Sequence, residues 1–320
     1  MHHPLAALAA VVLLSSCPDA FAVGVQRTFV STSGNDANAA VNCSLSSPCR
    51  SFGGALNVTA SSGEIIVLGS GGYGRVTIDR SVSIIAAPGV YAGISVFAGT
   101  NGIDINTPGV NVVLRGLTIN GQGGDNGIDF VQGAELTVEN CVFENSGGGA
   151  GSAILAHAPG GKISIIDSLV RDTPYIAIWI RQEAAGQMTS ATITNTVILN
   201  TAGWSLYVGG SLHAGTAVVY ASRLTVTGAG STAVVSDVPL AGATTLVSLA
   251  DSTISGNGWG LVTTGAGAKF VASDNRIVRN LHEGVINSGG VFLSRGDNIV
   301  HDNNGGGAQT TGAIGSLTPL

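Results

Sequence analysis

Charged side chains are scarce in this chain, and so are aromatic ones. Only 10% of the 320 residues are charged and 5% are aromatic, and the 13 lysines and arginines are scattered singly against 19 acidic residues. A nucleic-acid-binding protein needs a basic patch or stripe that faces the phosphates. The sequence has no such stripe, so we expect no nucleic-acid partner.

Long apolar runs are missing after the amino terminus, although 44% of the residues are hydrophobic. A membrane-spanning helix needs about 20 consecutive apolar residues, so we expect no transmembrane segment. Residues 1–22 differ, because an apolar stretch from Leu5 to Leu14 leads to Ala20-Phe21-Ala22, a small-x-small site typical of a secretory signal peptide. The alternative is a lipobox ending at Cys17, which would anchor the protein to a membrane as a lipoprotein. The sequence predicts a secreted or cell-envelope protein, periplasmic or extracellular.

Cysteine is also rare, with 4 in the chain. Cys43 and Cys49 close a short C-S-L-S-S-P-C segment, and in a secreted chain this spacing predicts a local disulfide. Cys141 is interpreted as a buried thiol. The histidines outside the leader show no ligand spacing, so we expect no metal site and no cofactor. Residues 123–127 resemble a calcium-binding nonapeptide imperfectly, which leaves calcium open as an alternative.

What the chain does have is glycine, 48 residues of it, and repetition. N-C-V-F-E-N, N-T-V-I-L-N and N-R-I-V-R-N occur at 140–145, 195–200 and 275–280. Repeats of short apolar strands between Gly and Asn indicate a β-solenoid. A polar residue opens each block, at Arg115, Asn140, Asp167, Asn195, Ser222, Asp251, Asn275 and Asp297. A second column closes each block, at Asn120, Asn145, Asp172, Asn200, Thr227, Gly256, Asn280 and Asp302.

Three segments follow from this pattern: a signal peptide at 1–22, an N-terminal unit at 23–62 and the solenoid at 63–320. The N-terminal unit should contain a strand, the Cys43/Cys49 loop and a short capping helix with Ser47 as its N-cap and Pro48 at its first position. The solenoid should end in a glycine-rich stretch, and its oligomeric state is open. The first strands are expected at Glu64–Leu68, Val76–Ile78, Val82–Ala86, Ile94–Val96 and Ile103–Ile105.

A family resemblance supports this architecture. The stretches F-x-x-A-L at 52–56, G-E-I-I-V-L and G-G-Y-G-R-V-T-I-D-R-S-V-S-I-I-A-A-P-G resemble the opening of the pectin-lyase-like, right-handed parallel β-helix superfamily. Within it, the chain is similar to secreted bacterial proteins without assigned activity. The resemblance implies an all-β, right-handed parallel β-helix. The catalytic motifs of the polygalacturonases, pectinesterases and best-known pectate lyases are absent, so no catalytic residue is transferred.

Two groups of side chains are candidates for function. Repeat alignment places Asp104 and Asp129 on adjacent coils, about 4.8 Å apart between strands, where they could bind a cation or sugar, act as acid and base, or simply be solvated. Trp179 and Tyr207 follow in the same outward column, with Arg181 beside them. We expect them to stack and face solvent as a polysaccharide contact, unless a long turn buries both rings. The column reads Asp104, Asp129, Leu155, Trp179, Tyr207, Val235, Val262 and Ile286.

The favoured function is therefore a non-catalytic secreted protein that presents a sheet face to polysaccharide or another surface polymer through Trp179, Tyr207 and Arg181. Two alternatives remain. One is a polysaccharide lyase or glycoside hydrolase acting on acidic polysaccharide, for which the weak catalytic candidates are Asp104, Asp129, Arg279 and His282. The other is a purely structural surface protein without a ligand.

Overall fold

A computed structural model describes residues 24–146, 148–210 and 213–317, and they form a parallel β-solenoid. The predicted signal peptide and Cys17 lie outside these residues. Each coil contributes one strand to each of three sheets, which we number in the order in which the chain enters them. No helix in the described ranges is long and apolar enough to cross a membrane.

Sheet 1 is the longest face of the solenoid, with twelve strands in the described residues. Its strands are Val25–Val30, Thr59–Val67, Val82–Ala86, Asn111–Arg115, Glu135–Glu139, Lys162–Ile166, Met188–Thr194, Thr216–Ser222, Thr244–Ala250, Ala268–Ser273, Val291–Ser294 and Ile314–Ser316.

Sheets 2 and 3 have ten strands each over the same part of the chain. Sheet 2 consists of Gly71–Gly72, Ala92–Phe97, Leu117–Gln122, Val142–Glu144, Leu169–Arg171, Val197–Leu199, Thr225–Thr227, Thr253–Ser255, Arg276–Val278 and Ile299–His301. Sheet 3 consists of Val76–Ile78, Ile103–Asn106, Ile128–Gln132, Ser152–Ala156, Ile176–Ile180, Trp204–Gly209, Thr232–Asp237, Trp259–Thr264, Val285–Ser288 and Thr310–Thr311.

The core is built from strand alternation, because every second side chain points between the sheets. In sheet 3, Ile128 pairs in register with Ile103 on one side and Ile154 on the other, and all three are fully buried. The same stacking continues through Ile178 and Leu206. Like residues therefore lie on like residues from coil to coil, and this stacking hides the apolar side chains of a chain with few charges.

The N-terminal unit packs a short helix, Phe52–Leu56, on the first coils. Phe52 is buried and its ring contacts Tyr73 at 5.2 Å between centroids. The helix begins four residues later than the sequence indicated, because Ser51 rather than Ser47 is the N-cap. The predicted disulfide between Cys43 and Cys49 is confirmed, and Cys49 also pairs with Val30 of the first strand. Cys49 is extended and its N–H donates to Phe29, so residues around it are not helical.

Asp36 fixes the start of this helix, and a 3-10 helix at Asp36–Val41 places it there. Its carboxylate accepts hydrogen bonds from the backbone N–H of Arg50 and Ser51 and from the Ser51 hydroxyl. Partial burial raises the pKa of Asp36, but these hydrogen bonds and the Arg50 charge lower it more, so it lies below its ordinary value. A second 3-10 turn, Asn304–Gly306, lies in the last coil.

The polar columns of the repeat turn out to contain two kinds of position. Asn140 and Asn145, on either side of a sheet 2 strand, have positive φ, 52° each. Residues in register with Asn140 on later coils also have positive φ: Asp167, Asn195, Arg223, Asp251 and Asp274. The same is true of residues in register with Asn145, namely Asp172, Asn200 and Arg279. Asn and Asp tolerate this left-handed conformation better than most residues, so these positions are the corners of each coil.

The predicted columns were therefore off by one residue at six places. The residues that lie one position away from the corner register are Arg115, Asn120, Ser222, Thr227, Asn275 and Asn280. Asn275 and Asn280 lie inside the turn, where they are 2% exposed. The side-chain oxygen of Asn280 accepts from the N–H and the amide of Asn257, and its own N–H and amide donate to Asn303. This buried amide ladder satisfies backbone groups at bends.

Candidate functional site

The outer face of sheet 3 contains the aligned column predicted from the repeats, which we call column A. Backbone pairing joins Asp104 to Asp129, Asp129 to Leu155, Leu155 to Trp179 and Trp179 to Tyr207. The predicted register of column A is thereby confirmed, and it continues through Val235, Val262 and Ile286. Leu155 and Val235 point outward but are buried, so the face is partly covered.

A second outward column, column B, lies two residues further along each strand, as alternation requires. It consists of Val131, His157, Arg181, Gly209 and Asp237. A side chain of column A contacts column B on the next coil. His157 contacts Asp129, the backbone of Gly209 contacts Trp179, and Asp237 contacts Tyr207. Columns A and B from Asp104 to Asp237, together with the turn residues Asn101 and Glu183 that contact them, form the candidate site, which we call the sheet 3 surface.

Asp104 and Asp129 are brought together as predicted, but an amide lies between them. Asn101 donates from its side-chain nitrogen to Asp104 at 2.7 Å and to Asp129 at 3.2 Å. The orientation of this amide is fixed, because its oxygen accepts from the backbone N–H and the side-chain amide of Asn126. The donor relieves repulsion between the two neighbouring carboxylates.

His157 and Glu183 continue the network on the next coils. Nε2 of His157 lies 2.9 Å from Oδ1 of Asp129, and its Nδ1 lies 3.4 Å from Oε1 of Glu183. Glu183 also pairs with Nε of Arg181 at 2.5 Å and lies 3.6 Å from Nε2 of His213. Three groups that are or can become cationic therefore converge on one carboxylate. The side chains of His157 and Asp129 are 13% and 17% exposed, so water and a ligand still reach them.

Arg181 and Trp179 form a stacked pair. The guanidinium carbon of Arg181 lies 4.6 Å from the centre of the Trp179 ring, a cation–π arrangement. The indole N–H donates to the carbonyl oxygen of Gly209 at 3.0 Å. Gly209 has φ +112°, and a Cβ there would lie 1.8 Å from the Asp237 carbonyl oxygen, so only glycine fits. One face of Trp179 is thus occupied by Arg181, and its polar edge is satisfied internally.

Tyr207 is also tied to the protein. Its hydroxyl donates to Oδ2 of Asp237 at 2.5 Å. Burial and the Asp237 carboxylate raise the pKa of Tyr207 far above its ordinary value. The Tyr207 ring meets Trp179 edge to face, with 5.8 Å between centroids and 88° between planes. The expected pair of flat, solvent-facing rings is therefore replaced by two half-buried rings at right angles, and Trp204 packs against the Tyr207 ring.

The C-terminal candidates lie elsewhere. Arg279 is an exposed corner residue at the end of a sheet 2 strand, and the ring of His282 stacks on Trp259 at 4.4 Å. In sheet 3, the strand after His282 is seven strands away from the strand of Asp104, or about 34 Å at the usual strand spacing. The structure does not bring these candidates to the sheet 3 surface. Within the described ranges, no group of three or more His, Cys, Asp or Glu side chains is arranged to hold a metal ion.

Sequence reasoning missed four members of the sheet 3 surface: Asn101, His157, Glu183 and Asp237. Two of them follow from the alternation that defined column A, because His157 and Asp237 stand two residues beyond Leu155 and Val235. Reading the second outward column as well would have found them. Asn101 and Glu183 lie in turns of variable length, so strand periodicity contains no signal for them.

Comparison with known proteins does not identify a family for this chain. No family model matches the chain, and no curated protein matches it. Among solved structures, the crystal structure of pectate lyase Pel9A is similar, with 12% sequence identity, a TM-score of 0.47, and coverage of 92% of this chain and 78% of that one. At this level of similarity the comparison supports no statement about activity.

Proposed function

We propose that this protein is a non-catalytic polysaccharide-binding protein that acts outside the cytoplasm, and that the sheet 3 surface is its binding site. The observation that supports this most is the continuous run of contacts from Asn101 and Asp104 through His157, Glu183 and Arg181 to Tyr207 and Asp237. It extends over six adjacent strands of sheet 3.

The chemistry of these side chains suits sugar hydroxyl groups. Carboxylates accept hydrogen bonds from hydroxyl groups, amides both donate and accept them, and the exposed parts of half-buried rings can contact the apolar faces of sugars. Arg181 forms an ion pair through its Nε with Glu183, and its side chain is 26% exposed, so the guanidinium can still reach a sugar hydroxyl group. Six strands span about 24 Å, so a linear polymer can lie along the columns and contact several coils.

The proposed compartment rests on separate features. The Cys43–Cys49 disulfide is typical of proteins that fold in an oxidising environment. The signal-peptide pattern of residues 1–22 agrees with this environment. We propose that the protein is exported and meets its polymer at the cell surface or in the medium.

The binding proposal is tested by affinity electrophoresis and calorimetry against a panel of neutral and acidic polysaccharides. For a polysaccharide that the native protein binds, we expect Arg181→Ala to lower the affinity by about tenfold, which corresponds to the loss of one good charge-assisted contact. The matched control is Arg276→Ala, which removes an exposed arginine from the outer face of sheet 2. Absence of binding across the panel, or equal losses in both variants, would overturn the proposal.

One observation supports a catalytic alternative. His157 lies between the carboxylates of Asp129 and Glu183, and an imidazole held by a carboxylate is a common general base. On this alternative the protein is a lyase or hydrolase of acidic polysaccharide. Incubation with pectins and alginates, with and without calcium, would then yield unsaturated products or new reducing ends, and His157→Ala would abolish them. If no product forms above a heat-killed control, this alternative is excluded for those polymers.

A further inference from the structure

We infer that Glu183 makes the sheet 3 surface selective for uncharged polysaccharide and against polyuronates. The inference rests on the proposed function and names the class of polymer. It assigns a role to a residue that the repeat pattern did not indicate, and it depends on how the charges of the surface are paired.

The charges on the sheet 3 surface are unbalanced. Four carboxylates belong to it, and Arg181 is its single arginine, with no lysine. His157 and His213 are the other groups that can become cationic, and both lie near Glu183. With neutral histidines the surface has three more negative than positive charges, since four carboxylates face one guanidinium. The carboxylates are those of Asp104, Asp129, Glu183 and Asp237.

Glu183 neutralises Arg181, the one side chain of the surface that is always positively charged. Its Oε1 pairs with Nε of Arg181, and the guanidinium is held between this carboxylate and the Trp179 ring. A uronate carboxylate binds best to an arginine that is free to meet it with two parallel N–H groups. On this surface a uronate would approach Arg181, whose charge is already paired with Glu183, and it would also lie near the carboxylate of Asp129. The carboxylates of the polymer and of the protein repel each other, so binding of a polyanion is disfavoured along the whole surface.

An uncharged polymer meets no such penalty. Asn101 satisfies one oxygen each of Asp104 and Asp129, and the carboxylates can accept further hydrogen bonds from hydroxyl groups. Ionised carboxylates form stronger hydrogen bonds with hydroxyl donors than neutral acceptors do. The same groups that repel a uronate therefore attract a hydroxyl-rich neutral chain.

The test compares a neutral β-glucan or galactan with polygalacturonate by affinity electrophoresis, in a chelating buffer so that bound calcium cannot bridge carboxylates. For Glu183→Gln we expect affinity for polygalacturonate to rise by about tenfold, because the change frees Arg181 and removes one repulsive charge. The matched control is Glu139→Gln, since Glu139 pairs with Arg115 at 2.7 Å on sheet 1. It should change neither affinity.

A second variant keeps the test decisive if Glu183→Gln folds poorly, as judged by its thermal midpoint. Asp104→Asn removes a negative charge but leaves the Arg181–Glu183 pair intact, so we expect a smaller rise in polygalacturonate affinity than for Glu183→Gln. If the native protein binds neither polymer class, the proposed function fails and this inference fails with it. If the native protein binds polygalacturonate as well as the neutral polymer, or if both variants bind polygalacturonate no better, the inference alone is overturned.

Discussion

The His157 imidazole and the Asp129 carboxylate lie 2.9 Å apart, although they are 28 residues apart in sequence and belong to adjacent coils. Tyr207 and Asp237 repeat this diagonal relationship 30 residues apart. A residue of column A thus meets the column B residue of the next coil. These diagonal contacts link the coils on their outer face, where they are independent of the apolar core.

The diagonal pair should be energetically coupled. In a double-mutant cycle of Asp129→Ala and His157→Ala, we expect a coupling energy of about 1 kcal/mol, a typical value for contacting polar residues. The measurement is urea unfolding of the native protein, the two single variants and the double variant. A matched cycle with Asp129→Ala and Arg276→Ala, on another sheet, should be additive. Additivity in both cycles would contradict the contact.

Asn101 should stabilise the carboxylate pair of Asp104 and Asp129. Replacement by alanine removes the donor that the two carboxylates share, so that among the described residues Asp129 keeps only His157 as a partner and the repulsion between the carboxylates increases. We expect Asn101→Ala to lower the free energy of unfolding by about 1–3 kcal/mol, the usual cost of unpairing a partly buried polar group. Asn106→Ala is the control, because Asn106 is exposed at the end of the same strand as Asp104. Part of the loss should be recovered in Asn101→Ala/Asp104→Asn, and a loss that persists unchanged would argue against repulsion as its cause.

Corner and ladder positions should respond oppositely to glycine. Arg279 has φ +57°, a conformation in which glycine avoids the strain of a side chain, so we expect Arg279→Gly to stabilise the protein by about 0.5–1 kcal/mol. Asn280, the next residue, is buried and hydrogen-bonded to two coils. We expect Asn280→Gly to destabilise by about 2–4 kcal/mol, because buried backbone groups lose their partners.

Chemical denaturation of Arg279→Gly and Asn280→Gly measures the free energy of unfolding of each variant. Because the two residues are neighbours in sequence, each variant is the control for the other. Destabilisation of similar size in both would show that the corner assignment of Arg279 is wrong. The same comparison tests whether the polar repeat is one column or two.

Cys141 should make the protein less stable in alkali. Burial raises the pKa of this thiol from 9.0 to about 11. Above pH 9.0 the unfolded chain loses a proton that the native protein keeps, so the free energy of unfolding falls as pH rises towards 11. The fall due to this one thiol is about 2–3 kcal/mol. In Cys141→Ala the decline between these pH values should be smaller by that amount, and parallel curves for the two proteins would contradict the prediction.

The sequence predicted the fold because repetition and alternation are local properties. The strands Val76–Ile78 and Val82–Ala86 were placed at their observed bounds, and the pairing of Asp104 with Asp129 followed from matching N-G-I-D segments. The Cys43–Cys49 disulfide followed from spacing. The helix start was placed four residues early, since the N-cap pattern at Ser47 was overridden by pairing of Cys49 with the first strand.

The sequence by itself determined the solenoid, its register and which residues of sheet 3 point outward, because strands of period two in consecutive coils leave few other ways to bury their apolar side chains. Tertiary structure decided the rest. It set the edge-to-face packing of Trp179 on Tyr207 and the ion pair between Arg181 and Glu183. It also placed the Asn101 amide between the carboxylates of Asp104 and Asp129. These contacts depend on turns of unequal length and on glycines that let one coil approach the next, and neither has a period that the sequence reveals.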